Sequence, residues 1–431
     1  MHSYLVIADD FTGANDTGIQ IRRRGKPVRV VFNASDISSG GSYVLDTESR
    51  FLSEEESFKK ILAEVEKIDF RDFKHVFKKV DSALRGNIAS EIRALSQCFK
   101  PDIIVFAPAF PLMGRTTVDG IQHLNGIPLL KTEFANDIKT PVKKDSITEI
   151  MKDAFNAPFN GSSYGMKEII HIKTGEPGYA GDIFAENAVY CFDVQNNDDL
   201  DLIVHSALQT RKRILWVGSA ALADALLGTE VKTLPAMAVI ASLSSVSRAQ
   251  VHYAEKQGIS LVKIPLYKIL EDPEQSHGEE IINKALSLLK NNKDIVLLPS
   301  SVYSIDEFYK TEEAALRSGL DSAEMSVFTQ HLIGSIAVNI LEKISMEGRS
   351  SSIGLSGIFL SGGDTAMAFM DRAEASGTEM LCEMAAGIPI MHLAGGKFDG
   401  LSVITKAGSF GNEDAVFQAI RKLGETGIVL Q

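Results

Sequence analysis

The stretch Tyr4–Phe32, "YLVIADDFTGANDTGIQIRRRGKPVRVVF", decides the fold. Tyr4–Ala8 is a short unbroken apolar run, which predicts a buried strand. Gly13–Arg24 predicts a helix, and Gly25 supplies its C-terminal stop. Val28–Phe32 predicts the next strand. A strand, a loop, a helix and a second strand within about thirty residues make a βαβ unit, and hence a parallel sheet. Two adjacent carboxylates, Asp9 and Asp10, stand between the first strand and its helix. They fit a helix cap, and they also fit a ligand site.

Working outward, the alternation continues. Strands are expected at Tyr43–Leu45, His75–Val80, Ile103–Ala107, Ile169–Ile172, Val189–Asp193 and Ile214–Val217. Helices are expected at Glu54–Ile68, Asn87–Phe99 and Ala220–Leu227. Residues from Pro108 to about Val142 read as a long irregular stretch, of the kind that is usually functional. A boundary is expected near Gly228–Leu234, dividing the chain into 1–230 and 231–431. The second series has strands Ala238–Ser242, Ser260–Ile264, Ile295–Pro299 and Gly357–Leu360, with helices Arg248–Lys256 and Met325–Ile344. The fold class is α/β, as two α/β domains with mainly parallel sheets and an active-site cleft between them.

Composition narrows the function. The chain has 431 residues and a net charge of −12, which disfavours nucleic acid and anionic membranes as partners. No apolar run reaches the roughly 18 residues of a membrane span, and the N-terminus lacks the pattern of a signal peptide. Three widely spaced cysteines, Cys98, Cys191 and Cys382, argue against a disulfide scaffold. The cytoplasm is the expected location.

In an open parallel sheet, ligands bind beyond the carboxyl ends of the strands. Those ends carry Asp9, Asp10 and Thr12; Asp46, Glu48 and Arg50; Lys78, Lys79, Asp81, Ser82 and Arg85; and Arg115, Thr116 and Asp119. Any one of these can be a surface charge or a cap. Their recurrence at successive strand ends points to a small polar, anionic substrate. Arg50 or Arg85 can clamp a carboxylate, and Asp9 or Asp81 can accept a proton. In the second half, the strand-to-helix turns "ASLSSVSRAQ" (241–250), "LSGGDTA" (360–366) and "TKAGSFG" (405–411) can cradle phosphate on backbone N–H groups. No run matches GxxxxGK[ST] or a convincing GxGxxG, and no G-x-S-x-G elbow is present. The histidines have no metal-ligand spacing. Trp216 is expected in the core, and Ser219 as a helix cap or a cleft residue.

Five motifs, "IADDFTGANDTG", "KKVDSALRGNIASEI", "PAFPLMGRTTVDG", "SGGDTA" and "TKAGSFG", together resemble the four-carbon acid sugar kinase family. The "ANDTG" continuation is most similar to the D-threonate and D-erythronate kinases, whereas 3-oxo-tetronate kinases tend toward "ATDI". The resemblance implies an N-terminal sugar-acid-binding domain and a C-terminal ATP-binding domain, with transfer of the γ-phosphoryl of ATP to the 4-hydroxyl. It implies that Asp9, Arg50 and Asp81, Ser82, Ala83, Leu84 and Arg85 meet the acid, joined by Asp10 and Lys79 at the same strand ends. It implies that Ser244, Ser361, Gly362, Gly363, Asp364 and Gly408 meet ATP. One departure is the serine-rich "ASLSS", where family members often carry glycine. The general base stays open between Asp9 and Asp81. Mg²⁺ is expected from the chemistry of ATP, with no visible ligand set, and a homodimer is the default for a metabolic enzyme. The rivals are a sugar-acid aldolase or dehydratase, which acts without ATP, and a non-catalytic sugar-acid sensor.

Overall fold

The computed structural model describes residues 3–156, 168–175, 184, 188–230, 233–272, 277–347 and 354–429. The chain divides into two compact units, Met1–Lys232 and Thr233–Gln431.

The strands of the first unit are β1 (Tyr4–Ala8), β2 (Val28–Val31), β3 (Ser42–Asp46), β4 (His75–Lys79), β5 (Ile103–Ala107), β6 (Arg115–Val118), β7 (Ile121–Leu124), β8 (Ile127–Pro128), β9 (Glu168–Ile172), β10 (Ala188–Phe192) and β11 (Ile214–Gly218). Eight of them form one sheet in the order β2-β3-β1-β4-β11-β5-β10-β9, and every pairing in it is parallel. Its central strands are apolar throughout because helices cover both faces. Leu5, Ile7, Val76, Phe106 and Val217 pack with Phe58, Ile61, Ile92 and Leu95 on one side. Val6, Ala8, Val105 and Trp216 pack with Ile21, Ile203, Leu222 and Leu226 on the other. Trp216 is therefore core, as expected. The first helix runs Phe11–Arg23 rather than from Gly13, with Asp10 as its N-cap.

The stretch read as irregular between Pro108 and Val142 is largely built. Strands β6, β7 and β8 form a three-stranded antiparallel sheet. Two two-residue turns make it. Asp119-Gly120 joins β6 to β7 and Asn125-Gly126 joins β7 to β8, with φ of 51° and 76°, and of 48° and 79°. Asp-Gly and Asn-Gly tolerate positive φ at both central positions, which tight hairpins require.

The second unit contains β12 (Ala236–Ile240), β13 (Ser260–Ile264), β14 (Ile295–Pro299), β15 (Gly357–Ser361), β16 (Gly377–Ala385), β17 (Ile388–Ala394) and β18 (Ser402–Lys406). They form one sheet in the order β13-β14-β12-β15-β18-β17-β16. The first five strands in that order are parallel. The β16–β17 hairpin, not anticipated from the sequence, is antiparallel at one edge.

Asp294, at the entry to β14, accepts the Ala236 N–H at 2.7 Å. Burial pushes its carboxyl up to about 6. A carboxyl whose native pKa is raised is held as an ion at a cost above that pKa, and the cost disappears as the pH falls to the unfolded value. Asp294→Asn keeps an acceptor without the charge. It is expected to raise stability at pH 7.5 by about 1–3 kcal/mol and to leave it unchanged near pH 4. Thermal unfolding at the two pH values checks this, and a variant destabilised at pH 7.5 contradicts it.

Candidate active site

The carboxyl ends of β1, β3 and β4 meet in a buried knot of charge. The chain after β3 turns back beneath β1, with Thr47 N donating to Ala8 O at 3.0 Å, and Ser49 and Arg50 N–H donating to Asp9 O at 2.9 and 3.1 Å. This sets Arg50 beside the paired aspartates. Its guanidinium makes four hydrogen bonds: Nε and Nη2 to Asp9 at 2.7 and 3.0 Å, and Nη1 and Nη2 to Asp10 at 2.6 and 2.8 Å. Arg50 is only 8% exposed and Asp9 2%. Gly86, at φ 91°, lets the chain pass close by, since a Cβ there would lie 3.2 Å from Asp9 Oδ2 and 3.3 Å from Arg50 Cγ.

The two aspartates differ electrostatically. Burial works to raise the Asp9 carboxyl, but the Lys78 charge and the Arg50 hydrogen bonds outweigh it and hold the group below the ordinary value. Asp10 is raised, by burial and by the Asp9 charge, against the pull of Arg50. Asp10 also accepts the Gly13 N–H at 3.0 Å as N-cap of the first helix, so the capping reading and the site reading hold together. Asp46, buried beside them, is pushed up to about 6 by burial, with Glu48 and Asp10 adding repulsion. Its Oδ1 accepts the Glu48 N–H at 3.1 Å.

Adjacent strand residues point to opposite faces, and this separates the two lysines. Lys78 is fully buried and pairs with Glu91 at 2.9 Å; it belongs to the scaffold. Lys79 lies on the face of the first helix, and a Cβ on Gly13 would come 3.0 Å from its Nζ. Burial lowers its pKa, against the raising pull of Asp9, Asp16 and Asp81.

Beyond β4, Asp81 is half-buried and accepts from Arg85 Nε at 2.5 Å. Arg85 is part-exposed, lies 3.6 Å from Asp137 through Nη1, and stacks over the Phe134 ring at 5.4 Å. Ser82 is part-exposed, and its carbonyl accepts Gln122 Nε2 at 2.8 Å. The Ala83 and Leu84 side chains are core, so these two residues can offer a ligand only their backbone. Ser219 donates to Ala109 O at 2.6 Å and accepts the Ala221 N–H, which makes it a helix cap.

In the second unit, a cavity of about 800 Å³ opens beyond β12, β14, β15 and β18. Ser361, Gly362, Gly363, Asp364 and Gly408 all line it. Gly362 has φ 103°, which only glycine adopts without strain, and its N–H donates to Lys406 O at 2.8 Å. The helix Gly363–Arg372 starts there, so its unpaired first-turn N–H groups face a position suited to an anion. Nothing lies within 4 Å of where a Gly363 Cβ would stand. The Ser361 hydroxyl, at the wall, is buried with no partner among the described residues.

Ser244 stands apart from the other residues expected to meet ATP. It does not line the cavity; Ser242 does. Ser244 Oγ is committed to its own helix, accepting the Ser247 N–H at 3.1 Å, and donates to Gly408 O at 3.1 Å. It therefore braces the turn that carries Gly408. Ser247 Oγ and Lys406 Nζ donate to the same carbonyl at 2.8 and 3.0 Å. Burial lowers the Lys406 pKa to about 8. A Cβ on Gly408 would lie 2.7 Å from Ser242 Oγ, so any side chain there would displace the Ser242 hydroxyl. The sequence reading also missed Thr311, Thr329 and Gln330 on the cavity wall, since helices far along the chain leave no strand-end signal.

Residues 4–226 match the family model described as a sugar-binding N-terminal domain, and residues 237–416 match the model of a nucleotide-binding C-terminal domain. The chain belongs to the four-carbon acid sugar kinase family. A relative in Salmonella typhimurium, D-threonate kinase, is 30% identical, with 98% of each chain covered. Another in Heliobacterium modesticaldum, D-erythronate kinase, is 27% identical, covering 96% of this chain and 95% of its own. A crystal structure from Bordetella bronchiseptica, of a domain then without known function, shares the fold at a TM-score of 0.57 and 24% identity, with 98% of each chain covered. That protein holds citrate and is a domain-swapped dimer. The resemblance read from the five motifs is thereby borne out at the level of the four-carbon acid sugar kinase family.

Proposed function

We propose that this chain is an ATP-dependent kinase that phosphorylates the 4-hydroxyl of a four-carbon sugar acid, D-threonate or D-erythronate. The observation that carries the reading is its end-to-end likeness to kinases of those two acids. The charge knot and strand-end groups of the first unit would hold the acid. The cavity of the second, with Gly362, Gly363, Asp364 and Gly408 on its wall, would hold ATP. Turnover then requires acid and nucleotide to meet.

In this reading Arg85 holds the substrate carboxylate, because the Arg50 fork is committed to Asp9 and Asp10. Asp9 is a poor base, since both its oxygens are on Arg50 and its pKa is lowered. Asp81 takes the proton from the 4-hydroxyl, held in place by Arg85. Lys79 adds positive charge behind the acceptor, while Ser82 and the backbone of Ala83 and Leu84 bond the hydroxyls. Positioning and charge neutralisation carry most of a phosphoryl transfer.

Among the described residues no cluster of three or more His, Cys, Asp or Glu could cage a metal. Mg²⁺ habitually rides on the phosphates with one or two carboxylates, and Asp364 on the cavity wall suits that lesser role. When bound, the ion would neutralise triphosphate charge. A homodimer is supported by the dimeric Bordetella relative. A cytoplasmic location fits ATP chemistry and three free cysteines. No described helix is long and apolar enough to cross a membrane.

Gly363→Leu tests the nucleotide site. Its side chain enters open space, so the fold is expected to persist, while KM for ATP rises at least about 30-fold through lost phosphate contacts and KM for the acid changes little. An unchanged KM for ATP moves the nucleotide elsewhere. The reading as a whole is tested by coupled ADP release over D-threonate, D-erythronate and 3-oxo-tetronates. Acid-dependent ADP release is expected with one of the first two. Release with the oxo acid alone makes it a 3-oxo-tetronate kinase. Binding of acid without ADP release makes it a sensor, and acid consumption without ATP makes it a lyase.

A further inference from the structure

Arg115 opens β6, and its guanidinium carbon lies 5.9 Å from the centre of the Phe134 ring that Arg85 also covers at 5.4 Å. Two guanidinium groups on one ring repel each other unless anions separate them. Arg85 has its anions, with Nε on Asp81 and Nη1 near Asp137. Asp137 is fixed in turn by the N–H groups of Lys139 and Thr140, at 2.9 and 2.8 Å. Arg115 has no carboxylate partner among the described residues. Among the described residues its side chain makes one hydrogen bond, a long one from Nη1 to the Met113 carbonyl at 3.4 Å, and its buried Nε has no acceptor there. In a chain of net charge −12, a cation left without an anion beside a strand-end site is an incomplete arrangement.

We propose that Arg115 is a substrate-binding residue that completes an anion clamp with Arg85, and that the clamp takes the carboxylate of the short hydroxy acid. This deepens the function proposed above and rests on it. Phe134 orients both forks and keeps water from one side of each. The β6–β7–β8 sheet supplies the rigid base: the Phe110 and Arg115 backbones bond each other in both directions, at 2.8 and 3.1 Å, so the arginine cannot drift from the end of β5. The clamp would make the negative charge of the acid, rather than its hydroxyls alone, a condition of binding.

The test is calorimetric binding of D-threonate and D-erythronate, each against its uncharged carboxamide, to the full-length protein and to Arg115→Met and Arg115→Lys. Wild type is expected to prefer acid over amide. Arg115→Met is expected to lose about 10- to 100-fold of that preference, mostly through weaker acid binding, with amide affinity and melting temperature nearly unchanged. Arg115→Lys is expected to recover part of it, since it restores charge without the fork. A methionine variant that keeps the full preference overturns the clamp. So does one that loses acid and amide equally, which marks a merely structural role. ADP release measured alongside separates the two readings. Wild type that prefers the acid but releases no ADP ends the kinase proposal and leaves the clamp standing, while wild type that binds neither acid ends both.

Discussion

Asp81→Asn is expected to lower kcat by about 100- to 10,000-fold, the usual worth of a positioned general base, with KM for ATP close to normal. The expectation follows from contrast within the site. Asp9 and Asp81 both stand at strand ends, but Asp9 is buried, doubly bonded to Arg50 and held as a weak base. Asp81 is half-buried and tied to Arg85 through Nε. Asparagine keeps an acceptor for that bond while removing the ability to take a proton and the charge that faces Arg85, a half-buried pair whose loss the fold should tolerate. Steady-state kinetics with both substrates varied decides the matter. A near-normal kcat in Asp81→Asn, together with a collapse in Asp9→Asn at unchanged melting temperature, would transfer the role to Asp9.

Arg50→Met is expected to act on stability. It leaves Asp9 and Asp10 facing each other with their shared countercharge gone, and breaking a buried ion pair from one side costs about 3–5 kcal/mol. For a unit of this size that is a fall in melting temperature on the order of 10 °C. The sign of its pH dependence is fixed. In the wild type, the lowered Asp9 pKa contributes stability that is present above the unfolded carboxyl value and lost as pH falls through the native one. In the variant, burial is opposed only by the Lys78 and Lys79 charges, so the Asp9 pKa rises and the cost falls on neutral pH. The gap between the two proteins should therefore narrow from pH 7.5 to pH 4.5. A gap that is small at pH 7.5, or one that widens on acidification, means the knot is not what holds these strand ends together.

Much of this was legible in the sequence, for physical reasons that can be named. Unbroken runs such as Leu45's strand and "IIVFA" are buried on both faces, and the strand-end rule then assembled Asp9, Arg50 and Asp81 without coordinates. What stayed hidden was direction. Arg50 was legible as a cation at the site but not as one already engaged by two aspartates. Ser242 and Ser244 are two residues apart in one turn, yet one lines the cavity and the other caps a helix; nothing in "ASLSS" separates them. The β6–β8 hairpins were readable, since "VDGI" and "LNGI" carry the turn residues, but their proline- and glycine-rich surroundings hid them. Arg115 could be noted at a strand end, while its lack of a carboxylate partner among the described residues needed the fold.

The central claim is transfer of a phosphoryl group from ATP to the terminal hydroxyl of a four-carbon acid. Phosphorus NMR of the product formed from D-threonate or D-erythronate tests it most directly. Phosphate on O4 is attached to a methylene, so its resonance should split into a triplet from two equivalent-coupled protons and should appear only when ATP and acid are both present. A doublet, which places the phosphate on a secondary hydroxyl, or an acid that changes with no new phosphorus signal at all, would contradict the account.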